Sequence, residues 1–154
     1  MDAVYVSRNV TPFAATAGAK TILKLITGTT FQIKIHEIKI STDGVTSSAV
    51  PLTAEWGTSD ETTAGTSTGT NLTTQIKGRL QANGITLGSN FSAEGTTYTI
   101  QDGIYVPQFM GLVVLQFPLG LEPVSPSDAA DSFLVRVNVS ANVNVFCSVK
   151  WSRT

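Results

Sequence analysis

The chain has one cysteine, Cys147, so no internal disulfide can staple it. It has one histidine, His36, so a two-histidine zinc site cannot be built, and any Ser-His-Asp triad would have to use that one ring. Charged residues fill only 14% of the 154 positions, against a usual ~25%. The formal net charge is −1, and no basic tail or run of Lys and Arg is present. Nucleic-acid binding needs a basic stripe to displace counterions, so the sequence predicts no nucleic-acid partner. No apolar run approaches the ~20 residues of a membrane-spanning helix, and no membrane partner is expected. The richest stretch, Phe109 to Phe117, is strand-sized. The opening MDAVYVSRNV lacks the basic-then-apolar order of a signal peptide, which predicts a chain made in the cytoplasm or a processed fragment. No internal repeat of fixed period and no convincing amphipathic helix are present.

Thr, Ser, Asn and Gly stand where the charges are missing, so much of the surface is neutral and polar. Two readings fit this composition: an extracellular-type β protein, and a subunit largely covered by its neighbours. The length suits one domain with a real core.

The C-terminal stretch FLVRVNVSANVNVFCSVKW carries the clearest pattern. Phe133, Val135, Val137 and Val139 alternate with mostly polar residues, and so do Val143, Val145, Cys147, Val149 and Trp151. Period-2 alternation puts the apolar set on one face of a pleated strand. The break at Ser140-Ala141-Asn142 predicts a β-hairpin, whose apolar face needs a second sheet to cover it. Cys147 lies on that face and reads as a small core residue.

Residues 1 to 19 are weakly patterned and predict an extended N-terminal arm with one short strand, which either packs along the domain or reaches a neighbouring subunit. Lys20 to Ile26 reads as a strand. Phe31, Ile33 and Ile35 share one phase and Ile38 and Ile40 the opposite one. One extra residue at His36-Glu37 restores a common face, which predicts a β-bulge. Val50, Leu52, Ala54 and Trp56 mark a third strand, with Pro51 confined to its start. GTSDETTAGTSTGTNLTT, residues 57 to 74, has almost nothing to bury and predicts one long exposed loop. Gln75 to Leu80 fits a short strand or a helical turn. Gln101-Asp102-Gly103 reads as a turn. Ile104 to Phe117 divides into a lead-in and a strand from Gly111, and Leu119 to Ser127 is a Pro-rich connection.

The sum is about eight short strands with turn signals between them, which predicts an all-β antiparallel sandwich, with jelly roll one of its possible topologies. The predicted domain organisation is an arm over residues 1–19 and a β-sandwich over residues 20–154.

Candidate chemistry is sparse. His36 and Glu37 are adjacent, so an unbroken strand would point them to opposite faces. Asp60-Glu61, Asp128 and Asp131 read as loop carboxylates, without the convergence that glycoside hydrolysis needs. Thr42-Asp43-Gly44 and Gln101-Asp102-Gly103 lack the further oxygen ligands of a calcium loop. The Gly/Thr-rich stretch has no phosphate-cradling G-x-x-x-x-G-K-[ST] pattern. Sequons at Asn9, Asn71, Asn90 and Asn138 read as chance matches in an Asn-, Ser- and Thr-rich chain. Trp56, Trp151, Tyr98 and Tyr105 could line a sugar platform, though both Trp residues are in phase with core positions. No catalytic, cofactor-binding or metal-binding residues are assigned, and no cofactor is expected.

Gln116-Phe117-Pro118-Leu119-Gly120-Leu121-Glu122-Pro123-Val124 is followed by Phe133 to Val139 and then by Val143 to Trp151. In this pattern the chain resembles the small jelly-roll virion proteins of phages, the capsid decoration (cement) family. The N-terminal half is similar through Lys20-Thr21-Ile22-Leu23, Phe31 to Ile35, Ile40 to Gly44 and Val50 to Trp56. The resemblance covers most of residues 20 to 151. It implies a jelly-roll fold and a non-enzymatic structural protein of the virion. It further implies a homotrimer bound to the major capsid protein on the outside of a tailed-phage head. A tail-associated or surface module that binds a receptor or carbohydrate is the alternative, and a hydrolase built on His36 ranks last.

Overall fold

The computed structural model describes residues 2–16, 18–46, 49–60, 65–125 and 131–154. They form thirteen strands and no helix: β1 (Val4–Asn9), β2 (Phe13–Ala15), β3 (Gly18–Ile26), β4 (Ile33–Thr42), β5 (Leu52–Asp60), β6 (Thr66–Ser67), β7 (Asn71–Lys77), β8 (Thr86–Ser89), β9 (Phe91–Ala93), β10 (Tyr98–Val106), β11 (Leu112–Gln116), β12 (Asp131–Val139) and β13 (Val143–Arg153). All pairings between them are antiparallel.

Two sheets enclose the core. The first runs β11-β4-β13-β1-β7, with β2 also on β13, and the second runs β10-β5-β12-β3-β8. A small β6-β9 pair stands apart from both. The inward residues are those the alternation selects: Ile33, Ile35, Ile38 and Ile40 on β4, Leu52, Ala54 and Trp56 on β5, and the Val-rich sets of β12 and β13. Each sheet buries one face against the other, so the molecule is a β-sandwich.

The bulge on β4 lies where the phase slip predicts it. Glu37 pairs with Lys150 and Ile35 with Trp151, which leaves His36 as the extra residue. Without it, Ile38 and Ile40 would face solvent, because a one-residue slip inverts every later side chain.

Four expectations need correction. Phe133–Val139 and Val143–Trp151 do not pair with each other as a hairpin: β12 lies between β5 and β3, and β13 between β4 and β1. The break at residues 140–142 carries the chain across the core from one sheet to the other. Alternation reports an inward face, and that face is the same for a hairpin and for two strands on opposite walls.

The N-terminal segment packs along the domain, and its described residues 2–16 hold two strands, β1 and β2, where one was expected. β1 is hydrogen-bonded on both sides, to β13 and β7, and buries Tyr5, Ser7 and Asn9. Its inward residues are partly polar, which hides them from a hydrophobic pattern.

The 57–74 stretch is not one loop. β5 continues to Asp60, and β7 forms an outer strand of the first sheet from Asn71. Thr is β-branched and pairs well at a half-buried edge without apolar neighbours; here the Ser7 and Thr73 hydroxyls bond at 2.8 Å.

Gln101-Asp102-Gly103 is a bulge inside β10, since Ile100 pairs with Gly57 and Asp102 with Trp56. The strand count rises from about eight because the segment between β5 and β10 folds into four short strands.

Candidate functional site

The candidate chemical residues are dispersed, except that His36 stands beside Ser152 and Glu122. On the β4 bulge, His36 Nε2 lies 2.8 Å from Ser152 Oγ, and Nδ1 is 4.0 Å from a Glu122 carboxylate oxygen. The Glu122 carboxyl is held below its usual range by its own backbone N–H and that of Gly120. Glu37 takes other partners, accepting from Gln116 Nε2 at 3.0 Å and Lys150 Nζ at 3.2 Å. The Gln116 bond first, and Lys150 with it, lowers its pKa. The Cys147 thiol is pushed up to about 12 by burial, so it is no nucleophile at ordinary pH. Asp43 caps Asn144 through its N–H and its side-chain amide. Asp102 accepts from the Gly103 N–H at 2.8 Å. Asp60 and Asp131 lie opposite each other in the β5–β12 register. Glu61 and Asp128 lie outside the described residues. Among the described residues, no three His, Cys, Asp or Glu side chains gather as a metal set.

The aromatic candidates separate into core and surface. Trp151 is fully buried, stacked on Tyr5 at 4.5 Å between centroids, and donates to Ser7 Oγ at 2.9 Å. Trp56 packs edge-on against Phe117 inside the sandwich. Tyr98 lies under the Arg136 guanidinium at 4.4 Å and donates to Glu94. Glu94 also accepts from the Thr21 N–H and hydroxyl, a cluster with no signature in the sequence. Only Tyr105 is open, at 76% exposure, over a shallow depression with Thr53, Glu55 and Asp102. Of the sequons, Asn9 and Asn90 are buried and bond to each other at 3.2 Å, Asn71 is half-buried, and Asn138 is exposed.

Two surfaces remain. The first is a cleft of about 530 Å³ at one end of the sandwich, between the β4–β5 loop, β2 and the 141–144 crossing. Beside it stands the turn at residues 107–111. Thr42 Oγ1 donates to the Pro107 and Gln108 carbonyls and accepts from the Gly111 N–H. Gln108 is buried and its side chain donates to the Val50 carbonyl at 2.6 Å. This frame holds Met110 at φ 44° and leaves Val45, Val50, Phe109, Met110 and Leu112 exposed. A left-handed non-glycine residue persists only where its surroundings over-determine it.

Comparison with known proteins found no family model, no curated protein and no solved structure that matches this chain.

The second surface is the outer face of the first sheet. The strand registers lay its outward residues in four rows. They read Leu112–Ser41–Phe146, then Val114–Lys39–Ser148–Arg8–Leu72, then Gln116–Glu37–Lys150–Val6–Thr74, then Lys34–Ser152–Val4–Lys77. Five cations thus share this face with one carboxylate, Glu37, which is engaged by Lys150. Asp43 and Glu122 stand at its rims. The opposite sheet is dressed differently. Its outward Leu134 and Lys24 are buried, the latter with Phe91 of β9 5.7 Å from its ammonium.

Proposed function

We propose that this chain is a non-enzymatic structural protein of a phage virion, a homotrimeric decoration protein that binds the major capsid protein on the outside of the head. The observation that carries the reading is the connectivity. β1, β13, β4 and β11 are neighbours in one sheet, and β3, β12, β5 and β10 in the other. Numbered one to eight along the chain, these strands run in the order 1-8-3-6 and 2-7-4-5. We read that as the order of a double-sheet jelly roll, an architecture found in viral capsid and lectin domains. It supports the resemblance seen in Gln116 to Val124, and fold alone would not carry a function.

Glu37, Cys147 and the Asp side chains do not converge on His36, and its Nδ1 stands 4.0 Å from Glu122, which favours binding over chemistry, with no cofactor assigned. The exposed apolar loop end favours protein contact, since large apolar patches mark interaction sites. Symmetric copies on a repeating lattice multiply weak contacts. Co-sedimentation with empty capsids, assembled from the major capsid protein of the same genome, tests the reading. The expected result is saturable binding, with light scattering giving three times the 16.3 kDa chain mass. Absence of capsid binding overturns it.

A second reading, a carbohydrate- or receptor-binding module, rests on Tyr105. Its ring, the most exposed aromatic among the described residues, lies beside Glu55 and Asp102. Hits on a glycan array that vanish in Tyr105→Ala would favour it over the virion reading.

A further inference from the structure

We infer that the outer face of the β11-β4-β13-β1-β7 sheet docks an acidic protein surface, with one partner carboxylate seated between Arg8 and Lys39. This stands on the face itself and does not depend on the virion reading.

Half of the chain's ten cations lie in the four rows of this face: Arg8, Lys34, Lys39, Lys77 and Lys150. They are far apart in sequence, and antiparallel pairing brings them together. Lys150 is bound to Glu37, and Lys34 lies near enough to Glu122 to lower its pKa. Lys39 also helps lower the pKa of Glu37, without a direct ion pair, and Arg8 and Lys77 have no ion-pair partner among the described residues. A net −1 chain therefore presents a locally positive face, and charge complementarity calls for a negative partner.

Arg8 and Lys39 flank a groove of about 230 Å³ floored by Ser41, Ser148 and Cys147, with Phe146 at its side. Two cations and two hydroxyls around one groove can receive a carboxylate with charge-assisted hydrogen bonds. Around it, Leu72, Leu112, Val114 and Phe146 are exposed, and Val4 and Val6 half-exposed. Apolar side chains interleaved with separated charges match a protein surface, with its apolar centre and polar rim. A nucleic-acid strand would meet one ring, Phe146, and a carboxylate, Glu37, where stacking platforms and continuous positive charge are needed. A second copy of the same face would bring like charges together.

The test uses the full-length protein and fluorescence anisotropy with two labelled probes, a Glu/Tyr copolymer and an oligothymidylate. The copolymer is expected to bind more tightly, and to weaken as salt rises. The double variant Arg8→Glu/Lys39→Glu should weaken copolymer binding about tenfold. Arg8→Gln/Lys39→Gln, which adds no repulsion, should weaken it in the same direction. Lys20→Gln, on β3 of the other sheet, should leave it unchanged. All these residues are exposed or half-exposed, and circular dichroism of each variant confirms folding. The inference is overturned if the copolymer does not bind, if either double variant binds like the parent, if Lys20→Gln weakens binding as much as they do, or if oligothymidylate binds more tightly.

Discussion

Asn9 holds polar groups together inside the core. Its amide donates toward the Thr11 and Val145 carbonyls and to Asn90 Oδ1, at 3.1 to 3.2 Å, and its oxygen accepts from the Cys147 N–H at 2.8 Å. Replacing it by Ala strands a buried N–H and a buried carbonyl, each costing roughly 1–3 kcal/mol. Asn9→Ala should therefore lose about 3 kcal/mol, read as a lower urea midpoint with an unchanged slope. Cys147, which bonds Asn9 through its backbone, has a thiol held neutral by burial, with its pKa near 12. It should ignore a thiol reagent at mildly alkaline pH and react only once denaturant opens the fold. Equal reaction in the native state would contradict its burial. Glu37 sets an acid dependence. Its folded pKa lies below the ordinary carboxylate value. The stability it contributes is thus complete above that value and is lost as pH falls through the folded pKa. Glu37→Gln should flatten this acid limb in urea titrations run from neutral pH downward.

At the scale of the element, strands whose inner face is aliphatic were legible. β4, β5, β12 and β13 all announce themselves by period-2 alternation, and the phase slip even located the His36 bulge. Partnership was not legible, because the turn at residues 140–142 looks alike whether the chain reverses within a sheet or crosses between sheets. β1 shows only as one short strand and β7 only at its Gln75 end, because their inner faces carry Ser7, Asn9, Thr73 and Gln75: Ser7 bonds Thr73 and Trp151, Asn9 bonds Asn90 and nearby backbone, and Gln75 bonds the backbone of Lys77 to Gln81. The cationic face was invisible for a related reason: its residues become neighbours only through register. The bulge itself is testable. His36→Ala keeps the extra residue and should cost little, through the lost Ser152 contact. Deleting His36 should invert Ile33 and Ile35 relative to Ile38 and Ile40, and leave no soluble, cooperatively unfolding protein.

For the whole molecule, the ends of the chain close the fold. Tyr5 pairs with Trp151 across β1 and β13, and their rings stack in the core. β1 also carries β7, which has no other partner in its sheet. Removing residues 2–9 would thus take away Tyr5, whose burial is worth about 3 kcal/mol. The Asn9 network, about 3 kcal/mol more, goes with it, as do the backbone bonds on both sides of β1. A domain of this size has roughly 5–15 kcal/mol to lose, so the truncation should exhaust most or all of its stability. The expected outcome is loss of the cooperative urea transition and of the near-ultraviolet circular dichroism of Trp151. A truncated chain that unfolds cooperatively at the parent's midpoint would show instead that β1 is an accessory strand. Such a deletion therefore cannot serve to probe contacts of the N-terminal segment with a partner. Substitutions at outward β1 positions, Val6 and Arg8, probe those contacts while leaving Tyr5, Ser7 and Asn9 in the core.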